Sequence, residues 1–323
     1  MRKRVLFPRT ARVVLRRLAL MIPLLLAITL LSFGMMRLAG SDVVLQRMES
    51  TGTVLSQQAL DDARAQLGLD RPFWQQYLHW LCGVLRGDMG VSYVSGQEVF
   101  SAIVQRLPAT LLLASLAVAM TVVIALPLGI LAAVCRGRAI DWLLRAASFV
   151  GGSLPNFFVA LVLMYLFAIR LRLLPVISTG VNLTSALLPA LTLAIAMSAR
   201  YLRQVRAAVL EELARPYVAG ALARGVPFCR VLWGSVLRSA LGTLLTLLAL
   251  SIGSLLGGTA IVESIFLWDG VGKLAVDAIQ MRDYPIIQAY VMWMAILYSV
   301  LNLVTDLVSP LLDPRLRAGE APA

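Results

Sequence analysis

The sequence predicts an all-α integral membrane protein with six transmembrane helices. Of its 323 residues, 59% are hydrophobic and only 14% are charged, whereas soluble domains carry about a quarter charged residues. A helix needs roughly 20 apolar residues to cross the hydrocarbon core of a bilayer. Six segments meet or approach this length, and the fourth needs a polar helical extension. They are residues 13–36, 107–134, 143–169, 183–197, 241–262 and 284–308.

The first predicted span follows a basic stretch, "MRKRVLF", so it is either a signal peptide or a retained membrane helix. Its apolar run is longer than a typical signal peptide contains, and no A-x-A cleavage site follows cleanly. These two features favour a retained helix.

The distribution of lysine and arginine predicts the orientation. With both termini on one side, that side holds 19 of the 29 basic residues. Cytoplasmic loops are enriched in Lys and Arg, so we expect both termini in the cytoplasm. The formal net charge of +12 then reflects membrane topology, and a nucleic-acid partner is not expected.

Cysteine and histidine do not indicate a metal site. Cys82, Cys135 and Cys229 are scattered and form no CxxC pair, which argues against both a disulfide framework and a zinc site. His79 is the only histidine and is predicted to lie outside the membrane. Without a nearby carboxylate or thiol, it is interpreted as an interfacial residue and not as a metal ligand.

The long external loop contains two stretches with helical signals. Ser56 is a candidate N-cap in "LSQQALDDARAQLGL", and Pro72 opens a stretch dense in aromatic residues. Such aromatics suit a membrane–water interface, so we expect a small cap packed on the chain's own membrane domain. The predicted organisation is an N-terminal tail with the first helix, the external loop, a core membrane domain and a C-terminal tail, at residues 1–36, 37–106, 107–308 and 309–323.

The third predicted span is interrupted by Gly151, Gly152 and Pro155. Such a break persists in a membrane only where protein or a water-filled cavity satisfies the freed backbone groups. Ser153 and Asn156 at this break therefore either line a translocation pathway or lie in a packing notch.

Two acidic residues near the ends of predicted spans are further candidates. Glu263 directly follows the fifth span and is a candidate pathway residue. Asp306 lies near the cytoplasmic end of the last span, and acids inside membranes are functional candidates. Its position at the edge favours a structural ion pair over a proton relay.

The stretch "PYVAGALARGVP" in the most arginine-rich loop predicts a short helix. Pro216 suits the first helical position and Gly225 suits the position just past the end. A helix of about nine residues is marginal alone in water, so something must pack against it. Tyr217, Ala221 and Arg224 recur at helical spacing, and this face either enters a groove of a partner protein or packs on the chain's own helix ends. We favour the partner protein.

No nucleotide-binding motif is present in the sequence. The "GVGK" at Gly270–Lys273 is not a phosphate-binding loop, because Leu267 stands where that motif requires its first glycine.

The stretch "YVAGALARGV" resembles the cytoplasmic EAA-type loop of binding-protein-dependent ABC transporter permeases. Pro216 stands where that family often has an acid, and "AGSDVV" replaces its usual turn after the first span. Further stretches, in the family's order along nearly the whole chain, resemble the dipeptide/oligopeptide/nickel permeases. They are "LGLDRPFWQQYLHWLCGVLRGDMGVSY", "LPATLLLA", "GGSLPNFFVALVL", "GGTAIVESIFLWDGVGKLAVDAIQMRDYPIIQ" and "NLVTDLVSPLLDPRLR".

The resemblance implies a permease subunit of a type I ABC importer in the bacterial inner membrane. It implies a second permease (a homologue or a second copy of this chain), two cytoplasmic ATP-binding subunits and an external solute-binding protein. ATP and Mg²⁺ would lie on the partner subunits, so this chain would be neither an enzyme nor a cofactor protein. Peptides, nickel and metal–chelator complexes are the cargoes implied. The residues implied to couple to the ATPases are Tyr217, Ala221, Arg224 and Gly225.

Two alternatives make different demands on the sequence. An ion-coupled secondary transporter would need buried acids in the middle of the membrane and internal repeats, and neither is evident. A membrane scaffold without transport activity would need no break at Pro155.

Overall fold

The computed structural model describes residues 6–38, 58, 70–178 and 180–312, and these residues are predominantly helical. The β pairing among the described residues consists of one isolated antiparallel bridge, between Val91 and Glu98. The helices are α1 (Leu6–Leu38), α2 (Phe73–Leu85), α3 (Val99–Val134), α4 (Ala139–Ser153), α5 (Asn156–Leu163), α6 (Leu183–Leu213), α7 (Pro216–Ala223), α8 (Phe228–Val231), α9 (Leu237–Ile265), α10 (Val271–Gln280) and α11 (Tyr284–Leu312). Two π-helical segments, Met164–Arg170 and Leu232–Val236, follow α5 and α8.

The number of membrane spans agrees with the sequence prediction, with one correction. Five helical stretches are long and apolar enough to cross a bilayer: Val14–Leu38, Val99–Val134, Leu183–Leu213, Phe228–Gly253 and Tyr284–Thr305. The third predicted span, 143–169, is instead a bent pair in which Ala139–Ser153 and Asn156–Arg170 meet at 103°. The described residues therefore hold five candidate spans, or six when this bent pair is counted as one.

The bend has a local cause at the predicted break. Leu154 and Pro155 are extended, with ψ of 132° and 141°, and proline has no N–H to continue a helix. A Cβ on Gly151 would lie 3.4 Å from the Cβ of Ala199 on α6. The Nη1 of Arg203, also on α6, donates to the carbonyl of Ser148 over 2.8 Å. The break is thus a notch that fits α6.

The chain divides into two compact units, residues 109–269 with 300–323 and residues 1–108 with 270–299. In the first of these, α6 packs against α4, α5 and α9. A Cβ on Gly129 of α3 would lie only 2.7 Å from Val205 of α6, so the missing side chain permits close approach of the two helices. The hydroxyl of Tyr201 donates to the carbonyl of Leu244 over 2.9 Å.

In the other unit, the aromatic helix α2 packs against α1. The hydroxyls of Tyr77 and Thr29 are 3.0 Å apart, and the rings of Phe33 and Phe73 lie edge to face at 5.4 Å. The prediction that this segment packs on the chain's own membrane domain is therefore confirmed for α2. His79 is exposed, and no cluster of potential metal ligands occurs in the part of the chain that is described.

The loop between α2 and α3 is held by Asp283, which directly precedes α11. The buried carboxylate of Asp283 accepts hydrogen bonds from the Ser92 hydroxyl and, over 3.1 Å, from the Tyr93 amide. Burial is the main factor that raises the pKa of Tyr93, with Asp283 adding to the rise and Arg37 opposing it.

Some sequence predictions fall outside the described residues. These are the helix predicted after Ser56 and the C-terminal tail beyond residue 312. Asp306 belongs to α11, but its side chain also lies outside the described set. The role of Asp306 stays a prediction.

Candidate functional site

The helix predicted in "PYVAGALARGVP" is present as α7, and it begins and ends where Pro216 and Gly225 predict. Pro216 is its first residue, after an extended Arg215. Gly225 has φ of +80°, a conformation that favours glycine. The amides of Gly225 and Val226 donate to the carbonyls of Leu222 and Ala221 over 2.9 and 3.2 Å. This pair of bonds is a Schellman motif, which ends the helix and turns the chain towards α8.

One face of α7 packs on the chain itself. Val218 is buried, and Tyr217 and Ala221 pack against the same cluster of apolar residues from α3, α6 and α9. The Tyr217 hydroxyl donates to Oε1 of Glu212 over 2.9 Å. In the described conformation, Tyr217 and Ala221 therefore hold α7 to its own chain, which was the alternative that the sequence left open.

The exposed side of α7 is apolar and carries two alanines and a leucine. Ala219, Leu222 and Ala223 follow one another at helical spacing, and Leu222 is 41% exposed. We call these three residues the α7 outer face. The side chain of Arg224 is also exposed, and its Nη1 lies 3.5 Å from where a Cβ on Gly220 would be. The α7 outer face thus consists of two alanines and one leucine, and Arg224 places a positive charge at one end of it.

Glu212 connects α7 to α6 and was not singled out from the sequence. Its carboxylate is largely buried and accepts the Tyr217 hydroxyl, while Nε of Arg215 lies 3.4 Å from its second oxygen. Because Glu212 belongs to the last turn of α6, these contacts fix the angle between α6 and α7. The spacing of five residues between Glu212 and Tyr217 is the available sequence signal, and it is weak.

A second buried carboxylate, Asp141, connects the start of α4 to α6. Its two oxygens accept Nε and Nη2 of Arg206 over 2.7 and 2.8 Å, and the Gly137 amide donates to it over 3.0 Å. Bidentate Arg–carboxylate pairs of this kind are among the strongest side-chain hydrogen bonds. The two residues are 65 apart in the chain, so no local sequence pattern indicates this pair.

The structure separates the three predicted pathway residues. Ser153 is exposed and donates to the carbonyl of Phe149 over 2.9 Å. Asn156 is half-buried, and its Nδ2 lies 3.3 Å from where a Cβ on Gly258 of α9 would be. Glu263, also on α9, is fully buried. Ser153 and Asn156 lie together at the bend, whereas Glu263 lies in a packed core.

The surroundings of Glu263 fix the end of α9 against α3. Its Oε1 accepts the Thr110 hydroxyl over 2.9 Å, and its carbonyl accepts the Trp268 amide over 2.8 Å. The buried indole of Trp268 donates to the carbonyl of Ala109 over 3.1 Å. In this conformation, Glu263 acts as a structural acceptor.

Comparison with known proteins gives the class of the chain. The family model described as "Binding-protein-dependent transport system inner membrane component" matches residues 125–318. The model of the N-terminal part of such membrane components matches residues 10–114. The chain belongs to this family of inner-membrane transport permeases.

Curated relatives match along almost their whole length. The dipeptide transport system permease protein DppB of Escherichia coli is 34% identical, over 94% of this chain and 98% of the relative. The oligopeptide permease AppB of Bacillus subtilis is 36% identical, over 95% and 99%. The metal-staphylopine import permease CntB of Staphylococcus aureus is 31% identical, over 95% and 98%.

A solved structure supports the fold. The MetNI methionine ABC transporter, in an inward facing conformation, matches with a TM-score of 0.56 at 19% identity. The match covers 65% of this chain and 96% of the other. The chain therefore has the type I ABC importer permease fold that the sequence predicted.

Proposed function

We propose that this chain forms one half of the translocation pathway of an ATP-driven importer, with both termini in the cytoplasm. A second permease, a homologue or a second copy of this chain, forms the other half. Two ATP-binding subunits hold ATP and Mg²⁺ on the cytoplasmic side, and an external solute-binding protein delivers the cargo. This chain contributes neither a cofactor nor a catalytic residue.

The α7 outer face is the observation that carries this proposal. An eight-residue helix is marginal on its own, and Val218, Tyr217 and Ala221 anchor one side of it. The outer side presents Leu222 between two alanines in a loop rich in arginine. A short apolar helix face suits insertion into a groove of another protein, and an ATP-binding subunit fits this position.

The contacts of α7 supply a route from the ATPases to the membrane. Displacing α7 moves α6 through the bonds of Glu212 to Tyr217 and Arg215. It also moves α8 and α9 through the rigid corner at Gly225. Because α6 packs against α4, α5 and α9, the displacement reaches the bend at Asn156.

The residues that the sequence singled out take specific roles in this mechanism. Gly225 forms the corner, and Arg224 places a cation beside the outer face. Tyr217 and Ala221 hold α7 to its own chain, so that a partner's motion is transmitted. We propose that Ser153 and Asn156 meet the pathway, and that Glu263 reaches it only when α9 separates from α3.

The proposed cargo is a short peptide or a peptide-like metal chelate, with nickel complexes included. Relatives named for dipeptide, oligopeptide and metal-staphylopine transport support this range. The solute that binds to the partner solute-binding protein identifies the cargo among them.

Reconstitution tests the function. The chain is purified with its partner permease and both ATP-binding subunits, placed in proteoliposomes, and supplied with the solute-binding protein. We expect uptake of labelled dipeptide that requires ATP and the binding protein. Uptake driven by a proton or sodium gradient without ATP would instead establish a secondary transporter, and the absence of any ATPase in the purified complex would support a scaffold.

Native cysteines test the orientation. Cys82 and Cys229 are both exposed, and the proposed topology places them on opposite sides. A membrane-impermeant maleimide should label Cys82 in intact spheroplasts and Cys229 only after permeabilisation. The reverse pattern would overturn the assignment of α7 to the cytoplasm.

A further inference from the structure

A groove of about 520 Å³ lies between the start of α4 and the end of α6. Its lining includes Arg136, Asp141, Trp142, Arg145, Arg206 and Glu211. We call it the α4 groove. Its volume lies within the range of sites that bind small molecules.

The charges in the α4 groove leave two arginines available. Asp141 is engaged by Arg206 over 2.7 and 2.8 Å, and Glu211 lies 3.7 Å from Nη2 of Arg215. Within the described part of the chain, Arg136 and Arg145 form no ion pair. The groove lining thus holds three arginines against two carboxylates, and Asp141, which also attracts Arg145, is already bound by Arg206.

The surface beside these arginines is apolar. Trp142 is 63% exposed, and the guanidinium of Arg145 stacks over its ring at 4.9 Å. Leu143 and Phe149 on the same helix are also exposed. The stacking holds Arg145 in place, so that one guanidinium and one indole are presented together.

The bend orients α4 for contact with lipid headgroups. Since α4 meets the helical segment that follows at 103°, it runs nearly along the bilayer surface if that segment crosses the bilayer. A helix that presents large apolar side chains beside arginines is suited to the interfacial region of a bilayer. Tryptophan is enriched at the same depth.

We propose that the α4 groove binds the phosphate-bearing headgroup of an anionic phospholipid of the cytoplasmic leaflet. Guanidinium groups bind phosphate oxygens in bidentate fashion, and basic pockets at the cytoplasmic side of membrane helices bind anionic headgroups. A free phosphate would use the two arginines alone, whereas the acyl chains of a lipid also cover the exposed side of α4. The choice of leaflet rests on the orientation given under "Proposed function".

The test measures lipid retention by the intact transporter complex in nanodiscs that contain phosphatidylcholine and a titrated amount of phosphatidylglycerol. Tightly bound lipid is quantified by native mass spectrometry. The variant Arg136→Gln/Arg145→Gln is compared with Arg230→Gln/Arg238→Gln, which removes the same charge from two exposed arginines elsewhere on the predicted cytoplasmic side.

We expect the groove variant to bind phosphatidylglycerol about 25-fold more weakly, which is about fivefold for each arginine. The control variant should change binding by less than about threefold, and Arg136→Lys/Arg145→Lys should restore most of the affinity. Equal losses in the groove and control variants, or no loss in either, would overturn the proposal. So would binding of soluble glycerol phosphate as tight as binding of the lipid.

Copurified ATPase is measured in the same samples. If the groove variant releases the ATP-binding subunits and retains its lipid, the groove is a protein contact and the lipid proposal is wrong. If none of the variants nor the native chain carries ATPase, the proposed function fails, while lipid retention still tests the groove. A thermal unfolding midpoint within a few degrees of the native complex shows that a variant is folded.

Discussion

The two short helices that join long helices, α7 and α10, have similar lengths but different surroundings. The ten-residue α10 buries Val271, Ala275 and Ala278. The eight-residue α7 buries only Val218 and leaves its outer face exposed. Both helices lie between membrane spans, so this difference in burial is not a consequence of their position in the chain.

The difference indicates which of the two short helices is stabilised mainly by contacts within the chain. A buried valine contributes about 1.5–3 kcal/mol and a buried alanine less, so the burial of Val271, Ala275 and Ala278 stabilises α10 within its own unit. The shorter α7 buries one valine and leaves Leu222 41% exposed, so it gains less stability from its own unit. A helix that leaves apolar surface exposed in a polar loop gains stability by binding a partner.

The largest expected effect comes from a charge placed on the α7 outer face. We expect Leu222→Glu to release the ATP-binding subunits and to reduce ATP-dependent uptake to background. A buried, unpaired charge in an interface costs several kcal/mol. The measurements are copurification of ATPase and uptake in proteoliposomes.

The matched control is Ile279→Glu, on the exposed end of α10, where the side chain is 59% exposed. It should leave ATPase association unchanged. Loss of association in both variants, or in neither, would remove the distinction between the two helices.

The next prediction compares two substitutions, each of which removes a hydroxyl that donates a hydrogen bond to a glutamate. Thr110→Val removes the donor to Glu263 in a buried hydrogen bond, and Tyr217→Phe removes the donor to Glu212 in a partly buried one. A lost hydrogen bond costs more where water cannot replace it. Thermal unfolding in detergent should show a loss of about 2 kcal/mol for Thr110→Val and less than about 1 kcal/mol for Tyr217→Phe. A larger loss for Tyr217→Phe would contradict the relative burial of the two sites.

A substitution that strains the backbone at Gly225, the corner after α7, should have a smaller effect on stability and a clear effect on transport. Gly225 has φ of +80°, and a Cβ there would meet no atom within 4 Å. The cost of Gly225→Val is therefore conformational, about 1–2 kcal/mol. We expect reduced uptake with the ATPases still bound.

Gly225→Asn is the matched control, because asparagine tolerates this conformation better than valine. Its uptake should stay close to that of the native chain. Normal uptake by Gly225→Val would show that the corner does not transmit motion.

The smallest predicted effect is a stabilisation of the turn that follows α10. Arg282, just after α10, is not a glycine but has φ of 54°. Arg282→Gly should raise the free energy of unfolding by up to about 1 kcal/mol, because it removes the left-handed strain. A decrease measured by thermal unfolding would show that the arginine side chain contributes more than the strain costs.

The ends of α7 could be predicted from the sequence, but its orientation could not. Pro216 and Gly225 act through their own backbone preferences, which are local. The helix between them, "PYVAGALA", is apolar almost all the way round, so no pattern indicates which side faces the chain. Helical spacing and the family resemblance assigned Tyr217 and Ala221 to the partner, but their contacts in the structure are with the chain itself.

Contacts distant in sequence set the remaining features. The break at Pro155 was predictable, but its angle depends on Arg203 and Ala199 of α6, which fit against it. The pairing of Asp141 with Arg206 depends in the same way on how α4 lies against α6. Such pairings follow from packing, which a hydropathy pattern does not encode.

Site-specific crosslinking tests the central claim most directly. In a chain whose three native cysteines are replaced by serine, Leu222→Cys and Val218→Cys are introduced separately and treated with a short bifunctional maleimide during ATP-driven uptake. We predict that position 222 crosslinks to an ATP-binding subunit, and that position 218 does not. If position 222 reacts only within its own polypeptide while position 218 reaches the ATPase, the α7 outer face is not the coupling surface.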